Sequence, residues 1–193
     1  MENKTSLSAK RRAITGITLI ALFAALTAAG TFITIPLPIS PVPVVLQNLF
    51  ALLAGLILGP LLGGLAVGLY LIAGAVGAPV FAGAAGGFTR FLGPTGGFLL
   101  GYLFSAIVAG AIAGRPRGEE GKRLGRIIMG TFLGLLSVYV PGLIRLKMIM
   151  GTTWPAVLAA GFIPFLIGDI LKGIAAVIIA PRLRRLAADQ LDG

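Results

Sequence analysis

The sequence predicts an all-α polytopic membrane protein, folded as a single bundle of six transmembrane helices. Three observations carry this expectation. Of the 193 residues, 57% are apolar and only 11% are charged, where a soluble domain has about 25% charged; the mean hydropathy is +1.01. The apolar residues gather into six stretches near the ~20 residues that cross a bilayer. The 29 glycines are too many for a soluble helical protein but suit membrane helices that pack closely.

The first stretch, residues 13–35, follows the basic start MENKTSLSAKRR. It exceeds the ~7–15-residue core of a signal peptide and lacks a clear small-x-small cleavage site, so it reads as a retained helix. PLPISPVP, residues 36–43, cannot continue a helix. The second stretch, 44–59, is short and open to a re-entrant reading, because irregular backbone is tolerated where protein or a water-filled cavity covers it. Gly59-Pro60 breaks the chain before the third, 61–78. A Gly-rich segment, PVFAGAAGGFTRFLGPTGGF, then leads into the fourth, 97–114. The charged loop RPRGEEGKRLGR precedes the fifth, 127–144. The sixth runs over 155–180, and PRLRRLAADQLDG reads as a tail over 181–193. The expected organisation is one integral membrane domain, 1–193.

Charge orients this bundle. The formal net charge is +10. Twelve of the sixteen Lys and Arg residues fall in the start, the loop after the fourth stretch and the end; Arg90, Arg145 and Lys147 lie on the other side, and Lys172 lies inside a span. The positive-inside rule then puts the 1–12 segment, the 181–193 tail and hence both termini in the cytoplasm. A nucleic-acid partner is not expected, since the basic residues flank apolar spans and are not interleaved with aromatic residues.

The chain contains no His and no Cys. No thiol chemistry and no metal site is expected, and the usual physiological-pH switch is missing. Neither a nucleophile–base pair nor a metal centre can be assembled, so the chain is not expected to be an enzyme. It has no P-loop and therefore cannot hydrolyse ATP itself. No internal repeat of the inverted-carrier kind is visible.

Asp169 and Lys172 stand out, an acid and a base inside the last apolar stretch. An ionisable group at membrane depth costs about 2.5–3.5 kcal/mol on insertion scales and marks substrate paths. At i and i+3 on a helix the two share a face. They suit a polar ligand with donors and acceptors, or a structural ion pair; a proton relay is less suited, since Asp169 is the only acid in any span. Span one carries small residues at four-residue spacing: Ala21 with Ala25, and Ala24 with Ala28. Such spacing lets helices approach closely, by itself most simply inside the bundle. Arg90 lies in the Gly-rich segment, as a solvated charge or at a cavity mouth. Gln47, Asn48, Tyr70 and Tyr139 are the sparse polar groups elsewhere, and Gln47 is placed to face the same cavity as Asp169.

The runs PVPVVLQNLFALLAGLILGP, LYLIAGAVGAPVFAG, GPTGGFLLGY and FIPFLIGDILK resemble those of the BioY family, in the same order and over nearly the whole chain. Members are the biotin-specific substrate-binding (S) components of energy-coupling factor (ECF) transporters. The resemblance implies a six-helix S-component bundle that holds biotin near the outer face. It also implies partnership with a transmembrane coupling protein and two ATPase subunits, and no cofactor. It makes Ala21, Ala25, Ala24 and Ala28 the candidate docking surface for the coupling protein. It gives Asp169 and Lys172, in the Gly-Asp-x-x-Lys element, a ligand role, with Gln47 inherited more weakly; Tyr70 and Arg90 complete the candidate set. An S component for another vitamin, or a stand-alone biotin carrier, is the alternative.

Overall fold

The structure, a computed structural model, describes residues 2–116 and 124–192, with side chains for 10–116 and 124–191. Of the basic residues used above to orient the chain, Arg117, Lys122 and Arg123 lie outside the described residues, as does the side chain of Lys4.

The chain opens with α1 (Glu2–Ala29), which tightens into a 3-10 turn at Gly30–Phe32. The Pro-rich segment forms a strap closed by two short antiparallel strands, β1 (Thr34–Ile35) and β2 (Val44–Val45), with Thr34 opposite Val45. Then come α2 (Gln47–Leu58) and α3 (Pro60–Ala75). Gly59 takes a left-handed φ of 84° between them, and Pro60 opens α3 where its missing N–H is not needed. The Gly-rich segment contains an isolated antiparallel bridge between Phe81 and Ala85 and the short α4 (Thr89–Leu92), and ends in the start of the next helix. The remaining helices are α5 (Gly96–Ala113), α6 (Leu124–Met150), α7 (Trp154–Gly161) and α8 (Leu166–Asp192).

Helix α2 is the centre of the bundle. It packs on α1, α3, α5, α6 and α8, and its residues from Ala51 to Leu58 are buried. A helix apolar on every side must be enclosed by others. At 12 residues it is about 18 Å long, well short of the ~30 Å hydrocarbon core. Among the described residues four helical stretches are long and apolar enough to cross a membrane, and α2 and α3 are shorter apolar helices. Glycine permits the close packing. A Cβ at Gly55 of α2 would overlap the Ala106 carbonyl of α5, and one at Gly97 of α5 would overlap the Pro141 carbonyl of α6.

Two local departures from the sequence expectation matter. The sixth stretch is not one helix: α7 ends at Gly161, Ile163–Phe165 is a 3-10 turn containing Pro164, and α8 starts afresh. Proline lacks the N–H that would continue the ladder. Asp169 therefore sits in the first turn of α8 and not mid-helix, where the positive end of the helix dipole favours a carboxylate. At the other end, α8 continues through Pro181 to Asp192, so the segment read as a tail is helix, with Arg184, Ala187 and Ala188 buried.

Candidate functional site

Four side chains from three helices converge at the start of α8. Lys172 Nζ lies 3.1 Å from Asp169 Oδ1 and donates to Asn48 Oδ1 at 2.9 Å. Asn48 Nδ2 in turn donates to Asp169 Oδ1 at 2.9 Å, closing a triangle between α2 and α8. Tyr139 of α6 donates a short hydrogen bond to Asp169 Oδ2. Lys172 is 7% and Asp169 13% exposed. Charges this deep are tolerated only when paired and hydrogen-bonded.

The arrangement is nearly satisfied, but not fully. A carboxylate offers about four lone-pair sites and an ammonium three donors. Asn48, Lys172 and Tyr139 occupy three of the acceptor sites, and Asn48 and Asp169 take two of the Lys172 donors. One acceptor site and one donor remain, beside a small void of about 30 Å³ lined by Val42, Val45, Asn48, Tyr102, Asp169 and Lys172. The cluster can therefore meet a group that both donates and accepts.

A cavity of about 580 Å³ lies next to this void, between the Pro-rich strap, the Gly-rich segment and the start of α5. Val42, Pro43, Val45, Phe98 and Tyr102 line both spaces, so they form the partition between them. Its walls are mainly apolar, with polar groups from Ser40, Gln47, Thr89, Arg90 and Thr95. That volume falls within the ~300–1,000 Å³ of small-molecule sites, which combine apolar walls with a few placed polar groups.

A model of the BioY family matches residues 1–189. The chain belongs to the BioY family. A probable biotin transporter BioY of Pyrococcus horikoshii is 41% identical over 168 residues, covering 87% of this chain and 95% of that protein. The biotin transporter BioY of Thermotoga maritima is 36% identical, over 88% and 95%. Among solved structures, the crystal structure of the S-component for biotin from an ECF-type ABC transporter superposes with a TM-score of 0.76 at 29% identity, over 90% of this chain and 92% of that one. The fold is thus that of an S component. The BioY chain is a multi-pass membrane protein, and its relatives are transporters and not enzymes.

The remaining sequence candidates of this BioY chain fall into place as follows. Arg90 is exposed and lines the large cavity. Gln47 also lines it, but its amide is turned from Asp169: Nε2 lies 2.5 Å from Thr31 Oγ1 and 2.8 Å from both Tyr70 OH and the Val80 carbonyl. Tyr70, 1% exposed, lies behind the cavity wall and does not line it. This second cluster ties the Gly-rich segment, through the Val80 carbonyl, to the 3-10 turn after α1 and to α2, with Tyr70 of α3 bonded to the same amide. The rings of Tyr70, Phe81 and Phe91 extend it in edge-to-face contacts, each at 5.6 Å. These contacts hold the segment down on the helices. In the alanine stripe, Ala21 and Ala25 are exposed, Ala24 is buried in the core, and Ala28 is half-buried.

Asn48, Tyr139 and Tyr102 were not singled out as site residues by the sequence. Asn48 is adjacent to Gln47 and points to the other side of α2. The available signal was a polar amide in an otherwise apolar helix; its partners lie 121 and 124 residues away.

Proposed function

We propose that this chain is the biotin-binding S component of an ECF-type uptake transporter. The observation that carries this reading is the spare donor and acceptor of the Asn48–Asp169–Lys172 cluster at the edge of a mainly apolar cavity. Biotin has the matching chemistry. Its ureido ring donates through N–H and accepts through a carbonyl, its thiophane ring and tail are apolar, and its tail ends in a carboxylate. The ureido ring faces Asp169 and Lys172 once the Val42–Val45 side of the partition moves aside. The tail then runs through the larger cavity, with its carboxylate towards Arg90. The names of the relatives agree with this ligand.

Labelled biotin should bind the purified chain at equilibrium, with desthiobiotin competing and thiamin or riboflavin failing to compete. Absence of binding, or displacement by another vitamin, would refute the assignment.

The transport part of the proposal places both termini in the cytoplasm and requires a coupling protein and two ATPase subunits, since the sequence carries no P-loop. Ala21 and Ala25, exposed on α1, are the docking positions; Ala24 and Ala28 of the same stripe turn towards the core. Small residues at this spacing admit a helix at close range. Ala21→Trp with Ala25→Trp should leave biotin affinity within about twofold of wild type, a change of under about 0.5 kcal/mol, while preventing co-purification with the coupling protein. Normal complex formation would overturn the docking assignment. Biotin uptake by cells lacking the partner subunits would instead favour a stand-alone carrier.

A further inference from the structure

We propose that the groove between α6 and α8 holds a lipid acyl chain, which backs Tyr139 and so ties the bilayer to the polar cluster. The groove encloses about 490 Å³. Its rim is formed by Ile128, Phe132, Leu136, Ile170, Ile174 and Ile178, all exposed. It is thus continuous with the apolar outer surface of a membrane-embedded bundle, and the bilayer is what meets it. Water finds few polar partners there, and an unfilled groove would forfeit dispersion contacts along its whole length.

Length selects the occupant. From Leu166 to Ile178 along α8 the groove covers about 18 Å at 1.5 Å per residue, close to the ~15 Å that is half of a ~30 Å hydrocarbon core. Gly173 lies on its lining, where a Cβ would meet only the end of Leu135 at 3.3 Å and Thr131 at 3.5 Å. The missing side chain makes room for a chain to lie along α8.

The groove differs from ordinary lipid-facing surface in where it ends. Tyr139, Phe162 and Asp169 line it, and Tyr139 and Asp169 also line the small void of the ligand site. The Tyr139 and Phe162 rings meet edge to face at 4.7 Å, and the Tyr139 hydroxyl donates to Asp169. An acyl chain packed against these rings holds that hydroxyl on the carboxylate. The effect on ligand affinity rests on the biotin reading above; the lipid site does not.

A tryptophan reporter tests the site directly. In a Trp154→Phe background, which removes the only native Trp, Leu136→Trp places the reporter on the rim. Phe104→Trp is the control, exposed on α5. The close pairs Gly134–Ser105 and Gly101–Val138 put both positions at similar depth. The variants are reconstituted in phosphatidylcholine brominated in mid-chain and washed with detergent. Quenching at Leu136→Trp should survive a wash that clears it from Phe104→Trp, and adding Gly173→Leu, which fills the groove, should abolish the retained quenching. Delipidated wild type should bind biotin several-fold more weakly and recover with phosphatidylcholine, whereas Gly173→Leu should show no lipid dependence. Loss of quenching from both reporters together would overturn the site. So would shielding of Leu136→Trp with cross-linking to a second copy, which would make the groove a dimer contact. Retained quenching with unchanged biotin affinity would overturn the tie to the polar cluster. If biotin fails to bind at all, the ligand reading fails, and the quenching result still decides the groove.

Discussion

Asp169→Ala is expected to weaken biotin binding by roughly 10- to 100-fold. Its loss removes the acceptor proposed for the ureido N–H. It also strands Lys172, Asn48 and Tyr139, all of which spend hydrogen bonds on its two oxygens. A lost ligand hydrogen bond to a charged group costs roughly 1.5–3 kcal/mol, at about tenfold in affinity per 1.4 kcal/mol, while stranding the partners of a buried ion pair lowers stability by roughly 3–5 kcal/mol. Lys172→Ala should be similarly damaging, because it leaves a carboxylate charge 13% exposed without its counter-ion. The two losses should not add. In Asp169→Ala/Lys172→Ala neither charge is stranded, so the double variant should fold about as well as either single one while still failing to bind. Isothermal titration with biotin, alongside thermal unfolding in detergent, separates ligand contact from packing. Wild-type affinity in Asp169→Ala would sink the site assignment.

Arg184→Ala should lower stability by about 3 kcal/mol or more, while biotin affinity, measured below the unfolding transition, stays close to wild type. Arg184 is 0% exposed near the end of α8. Its guanidinium donates to the Leu56 carbonyl in the last turn of α2, and to the carbonyls of Ala113, Gly114 and Arg115 at the end of α5. Leu56 and Ala113 are among the carbonyls that a helix leaves without partners at its C-terminus, and Gly114 and Arg115 follow directly on α5. Leu56 is a special case: its partner in a continued helix would be the N–H of residue 60, and residue 60 is proline. Hydrogen bonds to a charged group contribute roughly 1.5–3 kcal/mol each and are not additive. For a chain of this size a loss of 3 kcal/mol corresponds to a midpoint lower by roughly 6–12 °C. Arg184→Lys should recover little, because a point-like ammonium cannot fork between two helix ends. An unchanged unfolding midpoint in Arg184→Ala would refute the capping role.

Both predictions concern α8, and both contacts are to α2. Lys172 reaches Asn48 at the start of α2, and Arg184 reaches Leu56 near its end. The two helices are therefore tied at both ends, with the polar cluster at one and a helix-end cap at the other. The i, i+3 spacing of Asp169 and Lys172 already placed the pair on one face, because helix geometry alone sets that distance. The spacing could not reveal Asn48, Tyr139 or the role of Arg184. Arg184 sits among Arg182 and Arg185 in what reads as a basic, solvated end, and only burial separates it from its neighbours.

The helix boundaries show the same division. The stretches read from hydropathy match α2, α3, α5 and α6 within a few residues at most ends, because partition into a bilayer depends on local composition. Hydropathy runs unbroken over 155–180 although Pro164 lies within it, and membrane helices can carry proline when neighbours satisfy the freed groups. Whether a proline kinks a helix or ends it depends on what packs around it.

By itself, then, the sequence determined the membrane class, the order of the apolar helices and the charged pair in the last of them. These follow from burial cost and helical repeat, which act over a few residues. Tertiary structure alone decided that α2 is enclosed on all sides and that Asp169 opens a new helix. It alone turned Gln47 and Asn48 to opposite clusters and made a terminal arginine the cap of two helices. Those outcomes depend on which carbonyls and side chains meet across long stretches of chain, 16 residues for Gln47 with Thr31 and 124 for Lys172 with Asn48, and no local pattern encodes such meetings.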